Sequence, residues 1–271
     1  MFSAAFILLV PLSPAAPPAP PKGQRIALTD GQLFIPEGFR AGDKSFNLYL
    51  HLHGAANVTE ANFARSGHSG VLVTVVIPGL SSVYAKHFQD GKSFPRILDE
   101  AQAKLTEQKL VDKPAFARVI VSSFSADYGG VREMLKDGSI FNRIDVLMLA
   151  DTIYASYAGD PAQHHVNAEQ MAGFLKFAKL AAEGKKWMIL SHCDLQPDGY
   201  ASTGETADYL IAELKGKREK AAVEWPAERL KLQSQFRSKQ LEIYGFTGAT
   251  GADHMHHLQE IWALWQRLPK N

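Results

Sequence analysis

VSSFSADYGG, residues 121–130, follows the apolar run ARVI, and its reading decides the fold. A run without polar alternation is expected of a strand buried on both faces, and ADYGGVREMLKDG, with helix-like patterning, begins at once behind it. Ser125 then stands at the carboxyl end of a central strand, where open α/β sheets place their sites. A tight strand-to-helix turn around a reactive serine asks for small residues two positions before and after it. Ser123 meets the first requirement, whereas Asp127 occupies the second position, with Gly129 and Gly130 following. Ser125 would serve equally well as a plain helix N-cap, so S-x-S-x-D does not decide its role alone.

Working outward, five further apolar runs occupy residues 46–54, 71–79, 144–151, 186–194 and 241–248, with helix-like segments between them. This alternation predicts an α/β fold with a mainly parallel, doubly wound sheet. Near the amino end, QRIALTDGQLFIP holds two short apolar runs around Asp30-Gly31, a hairpin signal that adds antiparallel strands at the N-terminal edge. Ser93 with Pro95 opens a helix to about Lys109, Asn167 caps one that stops near Gly184, and Ser202 and Glu205 have capping-box spacing. Residues 214–239 are polar and charged around a Trp-Pro break, and read as a solvated excursion outside the sheet.

The chain of 271 residues is long enough to bury one large core, and residues 23–271 are read as a single domain. With 21% charged residues and a net charge of +1, no basic field is available to hold nucleic acid. The single cysteine, Cys193, excludes an intramolecular disulfide and a thiolate metal cluster. Residues 1–22, an apolar run followed by SPAAPPAPPKG, read as a signal peptide and Pro/Ala-rich spacer, from which an exported protein, periplasmic or extracellular, with no integral membrane segment in the mature chain is expected; with no Lys or Arg before the apolar run, the alternative is a disordered tail on a cytoplasmic protein.

Other strand ends carry matching chemistry. His53-Gly54-Ala55-Ala56 follows an earlier buried strand, and small residues there let backbone N–H groups approach a substrate oxygen. Ala126, in the first turn after Ser125, supplies a second such N–H. Asp151 ends the strand after the serine, and GFTGATGADHMHHL closes the series with a Gly-rich loop and three histidines opening the last helix. HLHGAA, SSFSADYGG, LMLAD and DHMHHL, in this order, resemble the α/β-hydrolase fold family over about residues 24–268. The resemblance implies a serine esterase or related acyl hydrolase without metal or organic cofactor, acting on a small-molecule or glycan ester. In it Ser125 is the nucleophile, a histidine after the last strand the base, Asp151 the orienting acid, and Gly54, Ala55 and Ala126 the oxyanion hole. Asp127 departs from the family's pattern at a position where glycine or alanine is usual. Asp194 competes with Asp151 as the acid and His257 with His254 as the base; placement favours Asp151 and His254.

Two other function classes fit the sequence. His51 and His53, alternating on one strand and therefore sharing a face, are potential zinc ligands for a metal-dependent hydrolase, with His192 and Asp194 as further donors. Asp127 favours a non-catalytic member of the same fold that binds a glycan or a partner protein.

Overall fold

Strands form where β-branched, leucine-rich or aromatic runs can be covered from both sides. The computed structural model of the protein describes residues 20–41, 44–112, 116–221 and 224–269. The apolar run and most of the spacer, on which the expectation of export rests, lie outside these residues. The hairpin comes first, as β1 (Gly23–Leu28) and β2 (Gly31–Pro36), paired antiparallel with Leu28 opposite Gly31. β3 (Phe46–Leu52), α1 (Ala56–Ser66) and β4 (Val71–Val75) follow, then α2 (Ser81–Phe88), α3 (Ser93–Glu107) and β5 (Phe116–Phe124). Next are α4 (Tyr128–Lys136), α5 (Gly138–Arg143), β6 (Val146–Ala150), α6 (Ala168–Ala182), β7 (Trp187–His192) and α7 (Thr203–Glu213). The chain closes with β8 (Glu219–Lys220), β9 (Leu232–Ser238), β10 (Leu241–Phe246), α8 (Gly251–Gln259) and α9 (Trp262–Trp265).

The strands form one sheet in the order β1-β2-β4-β3-β5-β6-β7-β10-β9-β8. From β4 to β10 each pair is parallel, and the pairs at both edges are antiparallel. Alternate residues of each inner strand feed two cores. Leu48, Leu50 and Leu52 of β3 join one with Tyr84, Phe88, Val131 and Phe174, whereas Tyr49 joins the other with Phe63, Leu258 and Trp265. Among the described residues no helix is long and apolar enough to cross a membrane.

One expectation is overturned. Part of residues 214–239 returns to the sheet: β9 pairs antiparallel with β10, and β8 with β9. Its sequence LQSQFRS buries only one position in seven, the pattern of a strand near a sheet edge, and that polarity disguised it.

Register aligns the carboxyl ends of the inner strands, since Leu52 lies opposite Ser123, Phe124 opposite Ala150, and Ala150 opposite Ser191. The residues that follow these strands therefore stand side by side. Between β3 and β5 the strand order also reverses direction along the sheet, the position at which open α/β sheets form a crevice. Behind it α4 packs tightly on α2, for a Cβ on Gly129 would lie 2.2 Å from the Ser81 carbonyl oxygen. Backbone cannot yield as a flexible side chain does, so Gly129→Ala is expected to destabilise the fold by about 1–3 kcal/mol, read as a lower urea midpoint at unchanged slope.

Candidate active site

Ser125 follows β5 directly, with φ 58°, in the left-handed region that non-glycine residues seldom enter. His53 after β3 and Asp151 after β6 share this conformation, at φ 66° and 48°. Three such residues at adjacent strand ends mark a place where the surrounding fold imposes strained backbone. Ser125 is thus not a simple N-cap in extended conformation; it occupies the apex of a sharp turn into a 3-10 segment, Ser125–Asp127, that leads into α4.

His254 reaches the serine from the first turn of α8. There the Thr250 hydroxyl accepts the Asp253 N–H at 3.2 Å while the Asp253 carboxylate accepts the Thr250 N–H at 2.9 Å, so a capping box fixes the helix start. The His254 Nε2 lies 2.8 Å from Ser125 Oγ and its Nδ1 2.7 Å from Asp151 Oδ2. Because a carboxylate can only accept, Nδ1 carries the hydrogen and Nε2 is left to accept from the serine hydroxyl. The imidazole also stacks on Phe124, ring centroids 4.6 Å apart, and Phe124 stacks in turn on His53 at 6.2 Å.

Asp151 is fully buried. Its Oδ1 accepts the Cys193 N–H at 3.2 Å and the Thr203 hydroxyl; its Oδ2 accepts the Cys193 S–H at 2.9 Å and His254 Nδ1–H. Burial opposes its charge, but the neighbouring His257 and His254 rings and the hydrogen bonds from His254 and Cys193 favour it, and the carboxyl lies below the usual carboxylate range. His257 is buried, which pushes its ring down to about 4 against the pull of Asp151.

The competing candidates have other partners, although His257 stands close to Asp151. His257 Nδ1 pairs with Ser191 Oγ at 2.8 Å, and Asp194 is exposed, accepting the Gly248 N–H at 3.3 Å. The expectation that His51 and His53 share a face fails, because the left-handed turn at His53 interrupts the strand's alternation. His51 holds Ser122 Oγ at 2.5 Å and meets Trp265 edge-on, while His53 pairs with Tyr84, in the opposite core, at 3.1 Å. Among the described residues the one cluster with metal-ligand character is Asp151, Cys193 and His257, which includes neither.

Gly54 and Ala55 lie in the loop between β3 and α1, beside the serine turn because β3 neighbours β5. Gly54 has φ 82°, in the left-handed region that favours glycine, and a Cβ there would meet the Leu258 side chain of α8 at 2.8 Å, so the loop lies close to the helix that carries His254. Ala126 is the second residue of the 3-10 segment, within the first turn, where N–H groups have no partner inside the helix. Cys193 and Thr203 were missed by sequence reading: an S–H donor has no characteristic spacing, although Thr203 directly follows the legible Ser202 cap.

Serine after the fifth strand, an acid after the sixth and a histidine after the last parallel strand complete the pattern begun by the strand order. The chain has the α/β-hydrolase fold. No protein-family model and no curated protein sequence matches it. Among solved structures it is similar to a glucuronoyl esterase from Solibacter usitatus, at 13% identity over 94% of this chain and 88% of the other, TM-score 0.40. It is also similar to the siderophore hydrolase EstA from Aspergillus nidulans, at 13% identity over 94% and 99%, TM-score 0.45. A soluble variant of monoglyceride lipase from Saccharomyces cerevisiae matches at 10% identity over 95% and 98%, TM-score 0.42.

The sign of one pH effect follows from Asp151. A carboxyl with a lowered folded-state pKa contributes stability that is present above its unfolded value, about 4, and is lost as pH falls through the folded one. Urea unfolding from pH 7 downward is expected to show a weaker loss of stability in acid for Asp151→Asn than for the unaltered protein.

Proposed function

We propose that the protein is a serine hydrolase that cleaves a carboxylic ester by two-step acyl transfer, with Ser125, His254 and Asp151 as its triad. The observation that carries this reading is the unbroken line from Asp151 Oδ2 through His254 to Ser125 Oγ, with spacings of 2.7 and 2.8 Å. In the first step Ser125 Oγ attacks the ester carbonyl carbon as its proton passes to His254 Nε2. Asp151 keeps Nδ1 protonated and stabilises the imidazolium. The N–H groups of Ala126 and of the Gly54-Ala55 loop receive the negative charge that develops on the carbonyl oxygen. Collapse expels the alcohol, which takes the proton from His254. Water then gives a proton to the same nitrogen, attacks the acyl-enzyme, and the acid is released with Ser125 restored.

Three tyrosines supply a substrate wall in this reading. Tyr128 follows Ser125 by three residues, Tyr154 follows Asp151 by three, and their rings lie 5.5 Å apart; Tyr200, exposed, is 5.7 Å from Tyr154. Flat rings with polar tips suit a sugar or aromatic ester, and an exported enzyme would meet acetylated polysaccharides.

A p-nitrophenyl ester panel with fluorophosphonate labelling tests the proposal. Ser125→Ala is expected to abolish labelling and to cut turnover at least about 10³-fold, with His254→Ala close behind, since triad members act as a unit. Turnover that survives Ser125→Ala and falls with a chelator would replace the reading with metal-dependent hydrolysis. Absence of labelling in the unaltered protein would favour a binding role.

A further inference from the structure

Asp127 stands two residues after the serine, and it is fully buried. Its Oδ1 lies 2.5 Å from Ser123 Oγ and 2.9 Å from Thr152 Oγ1, and those two hydroxyls are 2.9 Å from each other. Thr152 Oγ1 is also 2.8 Å from the Ser125 carbonyl oxygen, while Asp127 Oδ2 accepts the Phe124 N–H at 2.9 Å. Hydrogens can be counted along these contacts. With Asp127 ionised, only the Ser123 and Thr152 hydroxyl hydrogens serve four oxygen–oxygen contacts. If Ser123 donates to Asp127 and Thr152 to the Ser125 carbonyl, the two hydroxyl oxygens face each other without a hydrogen; every other choice strips a hydrogen from the carboxylate or from the carbonyl. A proton on Asp127 Oδ1 bridges three of the four contacts instead of two, because Asp127 then donates to Ser123, Ser123 to Thr152, and Thr152 to the Ser125 carbonyl; only the Thr152 Oγ1–Asp127 Oδ1 contact, between the two ends of that chain, carries no hydrogen.

We infer that Asp127 is held as a neutral carboxylic acid heading a one-way hydrogen-bond chain, through Ser123 and Thr152, that fixes the carbonyl of the left-handed Ser125 and so positions the nucleophile. The positioning part rests on the proposed serine hydrolase; the protonation does not. Among the described residues no cation pairs with Asp127. Tyr84 of α2, a neutral phenol with its own pKa pushed up to about 12 chiefly by burial, brings no positive charge, Ser123 of β5 and Thr152 after β6 close two further sides, and His254 is engaged with Asp151 and Ser125. Burial, the largest influence, pushes its carboxyl well above the usual range. This is the departure from the family's small residue, and it gives the aspartate a task glycine could not perform.

The decisive variant is Asp127→Asn, in which the amide donates to Ser123 and its oxygen accepts from Phe124, as the neutral acid does. An acid with a raised folded-state pKa contributes stability that is intact below the unfolded value, about 4, and is lost as pH rises through the folded value. The expected result is that the stability of Asp127→Asn relative to the unaltered protein rises from pH 4 towards 9, together with loss of one protonated-carboxyl infrared band near neutrality. Asp127→Asn is further expected to label with fluorophosphonate within about threefold of the unaltered rate and to abolish its decline in alkali, whereas Asp127→Leu labels at least about tenfold more slowly, as a chain with no donor predicts. Thr152→Val, which cuts the chain next to Ser125, takes the place of Asp127→Leu if that variant fails to fold. A relative stability that falls as pH rises, or no infrared band, would overturn the neutral acid. A neutral acid whose removal in Asp127→Leu or Thr152→Val left labelling and its pH profile untouched would overturn the positioning role. Failure of the unaltered protein to label would sink the hydrolase reading and the positioning role with it, while stability and infrared spectra would still decide the protonation.

Discussion

A charged carboxylate stays buried only if hydrogen-bond donors meet it, because an unpaired charge costs several kcal/mol in the interior. Asp151 meets that condition with donors drawn from the end of β7, the start of α7 and the first turn of α8. None of these is near it in sequence. The site therefore exists only when the C-terminal half of the chain has closed over β6, and the orientation of His254 follows from that closure rather than from local preference. Cys193 contributes twice, through its N–H and its thiol, which accounts for a free cysteine with almost no exposure.

The second constraint is register. Parallel pairing sets β5 and β6 to end at the same level and β3 one residue short of them, and the next residue of each turns left-handed. Strained conformations of this kind persist where surrounding contacts outweigh their cost of roughly 1–3 kcal/mol each. At Ser125 those contacts include the Thr152 hydroxyl on its carbonyl and the stack of Phe124 between His53 and His254. The turn and the helix carrying His254 are thus braced by the same aromatic ring.

Much of this was legible beforehand, for a physical reason. Strands covered on both faces need continuous apolar runs, and every inner strand was visible as one. Ser125 and Asp151 could be nominated because they follow such runs directly, and His254 because it follows the last run across a Gly-rich loop. Features that depend on partners far along the chain were not legible. Nothing local distinguishes Asp127 as a buried hub from a surface turn, or announces that Thr152 will reach the Ser125 carbonyl. The left-handed turn at His53 likewise has no signature, and without it two histidines on one strand appear to share a face. β9 was hidden because polar alternation at a sheet margin resembles an exposed helix or loop.

That polar strand has a role beyond pairing. β10 is buried at every position, Leu241–Phe246, and a strand of such composition left open at a sheet margin would invite another chain to extend the ladder. β9 takes up those hydrogen bonds and presents glutamines, serines and an arginine, and the sheet then stops at the two residues Glu219 and Lys220. That stub covers only Ser234 and Gln235, so along the rest of β9 it is the polar side chains that make the edge a poor template for an incoming chain. The least strand-like segment of the sequence thus serves as a guard against aggregation for the most apolar face of the sheet's far side.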